Sequence, residues 1–335
     1  MQKTRIIAEI GNNHNGNFKK ALEGIINSKK AGADFVKFQF IRPEKFVTKK
    51  LKSLVKGKEK YQFQRLKKIC LSLSQIKKLF LFSRKINIGF GVSVFDTESI
   101  KDLEKYTDFF KVASSDINFY PMLKELRKSQ KKIIISSGMS NMNEILFLKK
   151  IFKKKKITVL HCISSYPTKD IDLNLLSIKF LKDKTNFEIG FSDHSKGTLG
   201  CEMAVTLGAS VIEKHFLIRK SDKKVGDFPV SISPDKFKIM VNNIKKIEKA
   251  LGKYEKKCFK VEKKNRQKIR RSIYSTEKIF KNQKIDTTNT ICLRPFNKRG
   301  LTIKDFYIFN NYSKKDIPKD TLVASIDVKK KKFFK

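Results

Sequence analysis

The sequence predicts a (β/α)8 barrel followed by a small, mostly β domain. Its first 252 residues contain eight short apolar runs in which polar and apolar residues hardly alternate, as in strands buried on both faces of a parallel sheet. Amphipathic segments lie between these runs. Eight β–α units in about 250 residues are typical of a (β/α)8 barrel, whereas a doubly wound open sheet has fewer strands and usually a glycine-rich first turn.

The predicted elements follow one another along the chain. Strands are predicted at 5–11, 34–40, 89–95, 108–115, 132–138, 157–164, 187–194 and 210–216. Amphipathic helices are predicted at 18–32, 73–87, 120–130, 142–154, 173–184 and 233–252. The last helix begins with Ser233 and Pro234 and ends at Gly252, which are typical start and stop residues. The long, Lys-rich segment 41–70 predicts a loop excursion over the top of the barrel.

The pattern of strands and helices breaks after Gly252. Residues 253–270 are densely charged, and we interpret them as a linker. Residues 271–328 contain short β-prone runs, many turn residues and no long helical period, which predicts a small, mostly β domain. The final residues, 329–335, are expected to form a frayed basic tail.

The chain has a formal net charge of +44, from 76 Lys and Arg against 32 Asp and Glu. Almost all of the excess is Lys, spread along the exteriors of the predicted helices, where charge runs are usually solvated faces. Proteins that read nucleic-acid sequence rely on Arg for bidentate contacts, and the sequence shows no zinc finger, helix-turn-helix or RNP-like strand. We therefore expect no nucleic-acid partner, although the positive field can steer anionic substrates toward a site.

Cysteine usage and hydropathy indicate the compartment. The five cysteines, at 70, 162, 201, 258 and 292, are odd in number and show no CxxC spacing, so neither a disulfide framework nor a zinc ribbon is indicated. No stretch approaches the roughly 20 apolar residues of a membrane span, and the N-terminus runs into a strand without a signal-peptide pattern. We expect a cytoplasmic protein with a reduced set of thiols and no membrane association.

All four histidines fall where predicted strands should end, at positions 14, 161, 194 and 215. Ser192 and His194 are two residues apart, as are Glu213 and His215, so each pair shares one face of its strand. If these strands are neighbours, two imidazoles, a carboxylate and a hydroxyl converge at one end of the sheet. That arrangement predicts a metal or anion site.

Every predicted strand carries polar residues at its C-terminal end, where (β/α)8 enzymes place their reactive groups. These residues are Glu9, Lys37, Gln39, Ser93, Lys111, Ser114, Ser136, Ser137, His161, Ser164, Tyr166, Ser192, His194, Glu213 and His215. Lys37 and Lys111 lie inside apolar strands, where a cation is costly unless it meets an anion. With nearby hydroxyls as donors, they predict a phosphorylated or polyanionic substrate.

Seven ordered motifs and the C-terminal region together resemble the sialic acid synthase family. The motifs are AEIGNNHNG, GADFVKFQF, FFKVASSD, IIISSGMSNMNEI, LHCISSYPT, IGFSDHSKGT and GASVIEKHF, followed by an RRS…LRP segment. The resemblance covers nearly the whole chain, with a barrel at 1–252 and an antifreeze-like (SAF) domain at about 271–328. It implies an enzyme that condenses phosphoenolpyruvate (PEP) with an open-chain N-acetylated amino sugar of the N-acetylmannosamine type.

The resemblance also implies roles for individual residues. Catalytic roles fall on Glu9, Glu213, His194 and His215, of which the two histidines bind a divalent metal, Mn2+ first and Mg2+ or Co2+ as alternatives. PEP-binding roles fall on Lys37, Lys111, Ser114, Ser164 and Ser192. Sugar-binding roles fall on Gln39, Tyr166, Asp227 and Arg294. The family further implies a domain-swapped homodimer in which Arg294, or Arg299 in its place, reaches the partner's barrel.

Other interpretations stay open from the sequence. The legionaminic and pseudaminic acid synthases share the implied fold and chemistry. A degenerate barrel that only binds is supported by Val94, where the family has a hydroxyl, and by the shortened loop 225–230. His14 is equally consistent with a helix cap and a substrate contact. His161 is expected to pack, and Cys162 is expected to be a small core residue.

Overall fold

The computed structural model describes residues 3–53, 59–153, 155–222 and 226–332. It divides into two compact units, Met1–Lys253 and Tyr254–Lys335. Parts of three predicted segments lie outside the described residues: 54–58 of the loop excursion, Lys154 at the end of a predicted helix, and Val225 of the shortened loop.

The first unit is a closed barrel of eight parallel strands in chain order, with the last strand paired to the first. This architecture confirms the predicted (β/α)8 barrel. The strands are β1 Arg5–Gly11, β2 Phe35–Phe40, β3 Gly89–Val94, β4 Phe109–Val112, β5 Lys132–Ser136, β6 Ile157–Cys162, β7 Glu188–Asp193 and β8 Val211–His215. Several are shorter at the C-terminal end than predicted, because the polar residues there belong to the loops that form the barrel mouth.

Ten helices are described in the barrel unit. They are α1 Phe18–Lys30, α2 Pro43–Phe46, α3 Gln62–Ile69, α4 Leu73–Lys85, α5 Thr97–Leu103, α6 Tyr120–Lys128, α7 Met142–Phe152, α8 Leu176–Lys184, α9 Leu199–Thr206 and α10 Pro234–Leu251. The sequence analysis did not predict α5 and α9, which have 7 and 8 residues and are too short to show a clear helical period. The predicted loop excursion contains α2 and α3.

The interior of the barrel changes from apolar to polar along its axis. Near the N-terminal ends of the strands, Ile7, Phe109, Ile134 and Val211 pack together inside the barrel. A separate and larger apolar cluster fills the layer between the strands and the helices. Because side chains alternate between the two faces of a strand, the inward positions two and four residues further along form the floor of the barrel mouth.

The second unit is small and has two antiparallel sheets, ordered β10-β12-β13 and β11-β9. Its elements are α11 Lys260–Ile269, β9 Ser272–Ser275, β10 Lys284–Ile285, β11 Thr290–Leu293, α12 Ile303–Ile308, β12 Phe309–Ser313 and β13 Val328–Lys332. A separate apolar core includes Ile273, Ile285, Leu301 and Val323. The predicted small, mostly β C-terminal region is therefore present.

Two predictions for this region need correction. The segment 253–270, interpreted as a linker, contains helix α11, whose charged side chains leave no apolar stripe for sequence analysis to detect. Residues 329–332 of the predicted tail belong to β13, which pairs with β12. As an edge strand, β13 needs only β12 as a neighbour, and exposed Lys side chains such as those of residues 329–332 are common on edge strands. Residues 333–335 lie outside the described residues.

Throughout the described chain, helices are too short or too polar to cross a membrane.

Candidate active site

A cavity of about 390 Å3 opens at the C-terminal ends of the barrel strands. Its lining residues are Glu9, Lys37, Gln39, Ser93, Phe95, Lys111, Ala113, Ser114, Ser115, Ser136, Met139, Cys162, Ser164, Tyr166, Ser192, His194, Glu213, His215 and Asp227. The set contains every site residue that was predicted in the barrel. Arg294 belongs to the second unit, where its side chain is exposed.

Strand register explains why these side chains meet. Parallel pairing places Glu9 beside Lys37 on β1 and β2, and Ser192 beside Glu213 on β7 and β8. The pairing of β1 with β8 sets Glu9 beside His215 as well. In a closed barrel, inward residues of neighbouring strands form layers. The sequence motifs are distant along the chain, but each contributes one or two residues to the same layer.

Two lysines and two glutamates form a buried charge network on the cavity floor. Lys37 Nζ lies 2.8 Å from Glu9 Oε2 and 3.7 Å from Glu213 Oε2. Lys111 Nζ lies 3.7 Å from Glu213 Oε1. The lysines also donate hydrogen bonds to hydroxyls, Lys37 to Ser93 Oγ at 2.9 Å and Lys111 to Ser136 Oγ at 2.6 Å.

Within this network, only one of the two buried lysines still favours an anionic substrate. Lys37 already has a close carboxylate partner, so its burial does not by itself require a bound anion. Lys111 has a carboxylate only at 3.7 Å, and burial lowers its pKa despite the charge of Glu213. A bound anion beside Lys111 would stabilise its charged ammonium group, which burial has removed from water.

The environment drives the pKa values of the two glutamates in opposite directions. Burial raises the pKa of Glu9 to about 7, with Lys37 opposing the rise and Glu213 adding to it. Burial would also raise the pKa of Glu213, but the charges of Lys111 and Lys37 outweigh it and lower that pKa to about 2. Glu213 is therefore a carboxylate at neutral pH, while Glu9 can hold or release a proton. Neighbouring carboxyl groups separated in this way are typical of acid–base sites.

His194 and His215 lie side by side at the rim of the same cavity, with ring centroids 5.4 Å apart. His194 Nδ1 lies 2.8 Å from the carbonyl oxygen of Ile163, to which only a protonated Nδ1 can donate, so its Nε2 carries a free lone pair. The ring of Tyr166 lies 4.1 Å from that of His194.

The donor set at this rim fits a divalent ion. His215 Nδ1 is buried, lies 3.7 Å from Asp227 Oδ2, and has no hydrogen-bond partner among the described residues. An orphaned buried nitrogen is what a metal ligand shows when its ion is omitted. Within the described parts of the chain, no group of three or more His, Cys, Asp or Glu residues forms a complete metal site. The protein ligands that this rim offers are the imidazoles of His194 and His215.

Several hydroxyls also line the cavity, and Gly138 lies directly beside two of them. The amide of Gly138 donates a hydrogen bond to Ser114 Oγ at 3.1 Å. A Cβ atom at position 138 would lie 2.3 Å from Ser164 Oγ and 2.7 Å from Ser114 Oγ. The two hydroxyls therefore crowd this position, and only glycine lets both keep their present orientation beside the chain. The sequence analysis missed Gly138, although the SSG triplet at the end of a strand was a usable signal.

Asp227 is held over the end of β1. Its Oδ2 accepts a hydrogen bond from the amide of Asn12 at 3.0 Å. Gly11 has φ +51, and a Cβ there would lie 2.4 Å from Asp227 Oδ2. Glycine at position 11 thus permits both the left-handed turn after β1 and the approach of the carboxylate.

Three further residues were left open or assigned to packing. His14 does not line the cavity, and its Nδ1 accepts a hydrogen bond from the amide of Gly16 at 3.0 Å. His161 points away from the mouth, stacks on Phe191 and lies 2.8 Å from the carbonyl oxygen of Leu173. Cys162 is buried, as expected of a small core residue, but it has a second role in the structure. Its buried thiol lines the cavity, because position 162 continues the inward alternation of β6.

A second cavity, of about 570 Å3, lies at the N-terminal end of the barrel. Its floor is apolar, with Ile7 and Phe109 among the lining residues, and Asp108 at its edge is paired with Arg84. Active sites of (β/α)8 enzymes occupy the C-terminal face. The polar groups that could perform chemistry converge there in this protein too, so the smaller cavity is the candidate site.

Comparison with known proteins identifies one family and several relatives. The NeuB family matches residues 25–256. The chain is 37% identical over 308 residues to the N,N'-diacetyllegionaminic acid synthase of Campylobacter jejuni, covering 89% of this chain and 92% of that protein. It is 33% identical over 303 residues to the pseudaminic acid synthase of the same organism, covering 88% of each. The solved structure of N-acetylneuraminic acid synthetase from Leptospira borgpetersenii, in complex with citrate, superposes with a TM-score of 0.71 at 33% identity, covering 78% of this chain and 90% of that one.

Proposed function

The chain belongs to the NeuB family, and from that premise we propose that it condenses PEP with an open-chain N-acetylated amino sugar. The products would be a nonulosonic acid and inorganic phosphate. The observation that carries the proposal is the convergence of two lysines, two glutamates, two histidines and several hydroxyls in one cavity at the barrel mouth. Of the two glutamates, one lies beside Lys37 and the other between Lys37 and Lys111, and both supply carboxyl groups that can take part in proton transfer.

PEP would occupy the wall formed by Lys111, Ser114, Ser164 and Ser192. Lys111 supplies a charge-assisted hydrogen bond to phosphate, and the hydroxyls supply neutral donors. Glycine at position 138 lets the Ser114 and Ser164 hydroxyls keep the orientation in which they line the cavity. Lys37, which lies deeper and is shared with Glu9, would meet the carboxylate end of the same substrate.

His194 and His215 would hold a divalent ion, with Mn2+ proposed first and Mg2+ or Co2+ as alternatives. The free Nε2 of His194 and the orphaned Nδ1 of His215 support this assignment. Such an ion, when bound, polarises a carbonyl oxygen as a Lewis acid. Gln39, Tyr166 and Asp227 would orient the sugar on this side of the cavity.

The reaction forms a carbon–carbon bond between C3 of PEP and the aldehyde carbon of the sugar. Water adds to C2, and the bond between C2 and the phosphate oxygen breaks to leave a keto group and phosphate. Glu213, ionised between the two lysines, would orient the water and accept its proton. Glu9, with a pKa of about 7, would donate a proton to the aldehyde oxygen as that oxygen becomes the new hydroxyl group.

The amino sugar is proposed at the level of its class. The simplest substrate is of the N-acetylmannosamine type. The identity to a legionaminic acid synthase favours a diacetylated amino sugar as the second candidate, and a pseudaminic-type sugar is the third. The three share the aldehyde and the N-acetyl group that the proposed chemistry requires.

The test is phosphate release from PEP by the metal-loaded protein with each of the three amino sugars. We expect release with at least one sugar and none without sugar. The His215→Ala variant should keep its fold and lose turnover, and Lys132→Ala, at the other end of the barrel, should behave like the unmodified protein. Full metal-dependent turnover by His215→Ala would contradict the metal assignment, and no release with any sugar would contradict the function.

A further inference from the structure

A fully buried ion pair lies directly behind the two histidines. Lys214 Nζ donates to Asp193 Oδ2 at 2.9 Å, and both side chains are 0% exposed. Lys214 also donates to the carbonyl oxygen of Ser195 at 2.6 Å. The second oxygen of Asp193 accepts from the amide of Ser195 at 2.7 Å, and Cys201 on α9 donates to Oδ2 at 3.2 Å.

The pair is adjacent to both imidazoles along the chain. Asp193 precedes His194, Lys214 precedes His215, and Ser195 follows His194. Because strand side chains alternate, Asp193 and Lys214 point outward, toward α9, while the histidines point into the mouth. His194 is thus bracketed by two residues that are both hydrogen-bonded to the ammonium group of Lys214.

The backbone pairing of β7 with β8 does not extend to both histidines. The register of β7 with β8 ends at Asp193 and Lys214, so His194 lies one residue beyond the last paired position. His215 is still held by β1, through its register with Glu9. The backbone of His194 is also held on its other side, since its carbonyl oxygen accepts a hydrogen bond from the amide of Thr168 at 3.0 Å. Between β7 and β8, the ion pair is the link at the point where the pairing of these two strands stops.

Stability is a weak explanation for such a pair. Removing two charges from water costs about as much as their attraction returns, and buried pairs replaced by apolar residues of similar volume are often no less stable. Groups that fix the orientation of metal ligands affect metal affinity instead of stability. Changes to such groups typically weaken metal binding 10–100-fold.

We infer that Asp193 and Lys214 are positioning residues that set the distance between the His194 and His215 imidazoles for a divalent ion, an inference that rests on the proposed function. Neither residue lines the cavity or touches substrate. They act through the backbone on either side of His194 and through the position preceding His215. The pair is thus part of the metal site in the layer behind the ligands.

The test measures Mn2+ affinity by calorimetric titration of the full-length, metal-free protein. The double variant Asp193→Asn, Lys214→Met removes both charges with little change in volume. We expect it to fold, to bind Mn2+ roughly 10–100-fold more weakly, and to lose kcat while its KM for PEP stays within about twofold. Addition of excess Mn2+ should restore part of the lost turnover.

The matched control is the double variant Arg5→Met, Glu188→Gln, which removes an ion pair at the other end of β7. It should lose some stability and keep its Mn2+ affinity. If the Asp193→Asn, Lys214→Met variant does not fold, the apolar double variant Asp193→Leu, Lys214→Met carries the test, because buried pairs replaced by apolar residues of similar volume are often no less stable, and a loss of Mn2+ affinity of about tenfold or more is expected. Equal Mn2+ affinity in the folded variant and the unmodified protein overturns the inference and leaves the proposed function intact. An unmodified protein that does not bind Mn2+ overturns the metal assignment and the inference together.

Discussion

Lys37 and Lys111 occupy equivalent inward positions on β2 and β4, yet their surroundings differ. Lys37 Nζ has Glu9 at 2.8 Å, and the charges of Glu213 and Glu9 outweigh burial and raise its pKa. Lys111 Nζ has its carboxylate partner only at 3.7 Å, and burial lowers its pKa. We therefore expect a bound phosphate to interact more strongly with Lys111 than with Lys37, because the ammonium group of Lys111 has no close carboxylate to neutralise it.

Removal of the Lys111 ammonium group should weaken PEP binding selectively. For Lys111→Ala we expect the KM for PEP to rise roughly 10- to 100-fold, since a charge-assisted hydrogen bond contributes about 1.5–3 kcal/mol. The KM for the amino sugar should change much less. Steady-state kinetics with each substrate varied in turn give both values. An unchanged KM for PEP with intact turnover would show that Lys111 does not hold the phosphate.

A methyl group at position 138 should displace two of the hydroxyls that are proposed to bind the phosphate. In Gly138→Ala the new Cβ lies within 3 Å of both Ser114 Oγ and Ser164 Oγ, so the hydroxyls must turn away. We expect kcat/KM for PEP to fall about tenfold or more, equivalent to the loss of one hydrogen bond to a charged group. Thermal unfolding should be little changed, because φ at Gly138 is not positive. A variant with unchanged PEP kinetics would place the phosphate elsewhere.

At the scale of the element, β7 is held differently at its two ends. The C-terminal end carries the Asp193–Lys214 pair and His194. At the N-terminal end, Glu188 joins three strands, since it pairs with Arg5 of β1 at 2.5 Å and accepts from Thr158 of β6 at 2.7 Å. Burial would raise the pKa of Glu188, but these hydrogen bonds and the charge of Arg5 lower it below 4.5.

The lowered pKa predicts how the stability of the barrel depends on pH. A carboxyl group with a depressed folded-state pKa stabilises the fold above its unfolded pKa and loses that effect as pH falls through the folded value. Glu188→Gln should therefore lower the free energy of unfolding at pH 7 by roughly 0.5–1 kcal/mol, as for a partly exposed pair. The difference should shrink toward zero as the pH falls well below about 4.

Denaturant unfolding of the barrel at pH 7 and at pH 3 measures this difference. Glu277→Gln, an exposed position in the second unit, serves as the control and should have little effect at either pH. A destabilisation by Glu188→Gln that is the same at both pH values would mean that packing, rather than the ionised carboxylate, stabilises this end of β7.

At the scale of the whole molecule, the second unit contributes Arg294 as its candidate site residue. The side chain is exposed in that unit. The family resemblance implies that Arg294 reaches the barrel of a partner subunit in a homodimer. Subunit mixing tests this arrangement without any assumption about how the units are placed.

Arg294→Ala and His215→Ala subunits should each be inactive alone and regain activity when mixed. In a mixed dimer with exchange, one site carries both lesions and the other carries neither, so up to half of the normal activity per mixed dimer should return. The measurement is phosphate release after subunit exchange, with each variant incubated alone as the control. No recovery despite proven exchange would mean that Arg294 acts within its own chain or not at all.

The sequence by itself determined the order of the strands, the barrel and the residues at its mouth. Parallel strands have a strong local signature, and a closed barrel brings all their C-terminal ends to one face whatever the details of packing. That is why His194, Glu213 and Lys37 could be placed together from motifs spread over the chain. Short helices such as α5 and highly charged ones such as α11 escaped prediction, because they carry too few apolar residues to show a clear helical period.

Only the tertiary structure decided which of these groups neutralise one another. The sequence could not show that Glu9 partners Lys37, that Gly138 lies against two hydroxyls, or that Cys162 faces the cavity. It likewise could not reveal the pair of Asp193 and Lys214 behind the histidines. Such relations depend on strand register and on distances of a few ångströms between residues far apart in the chain, and electrostatic energies depend steeply on both distance and burial.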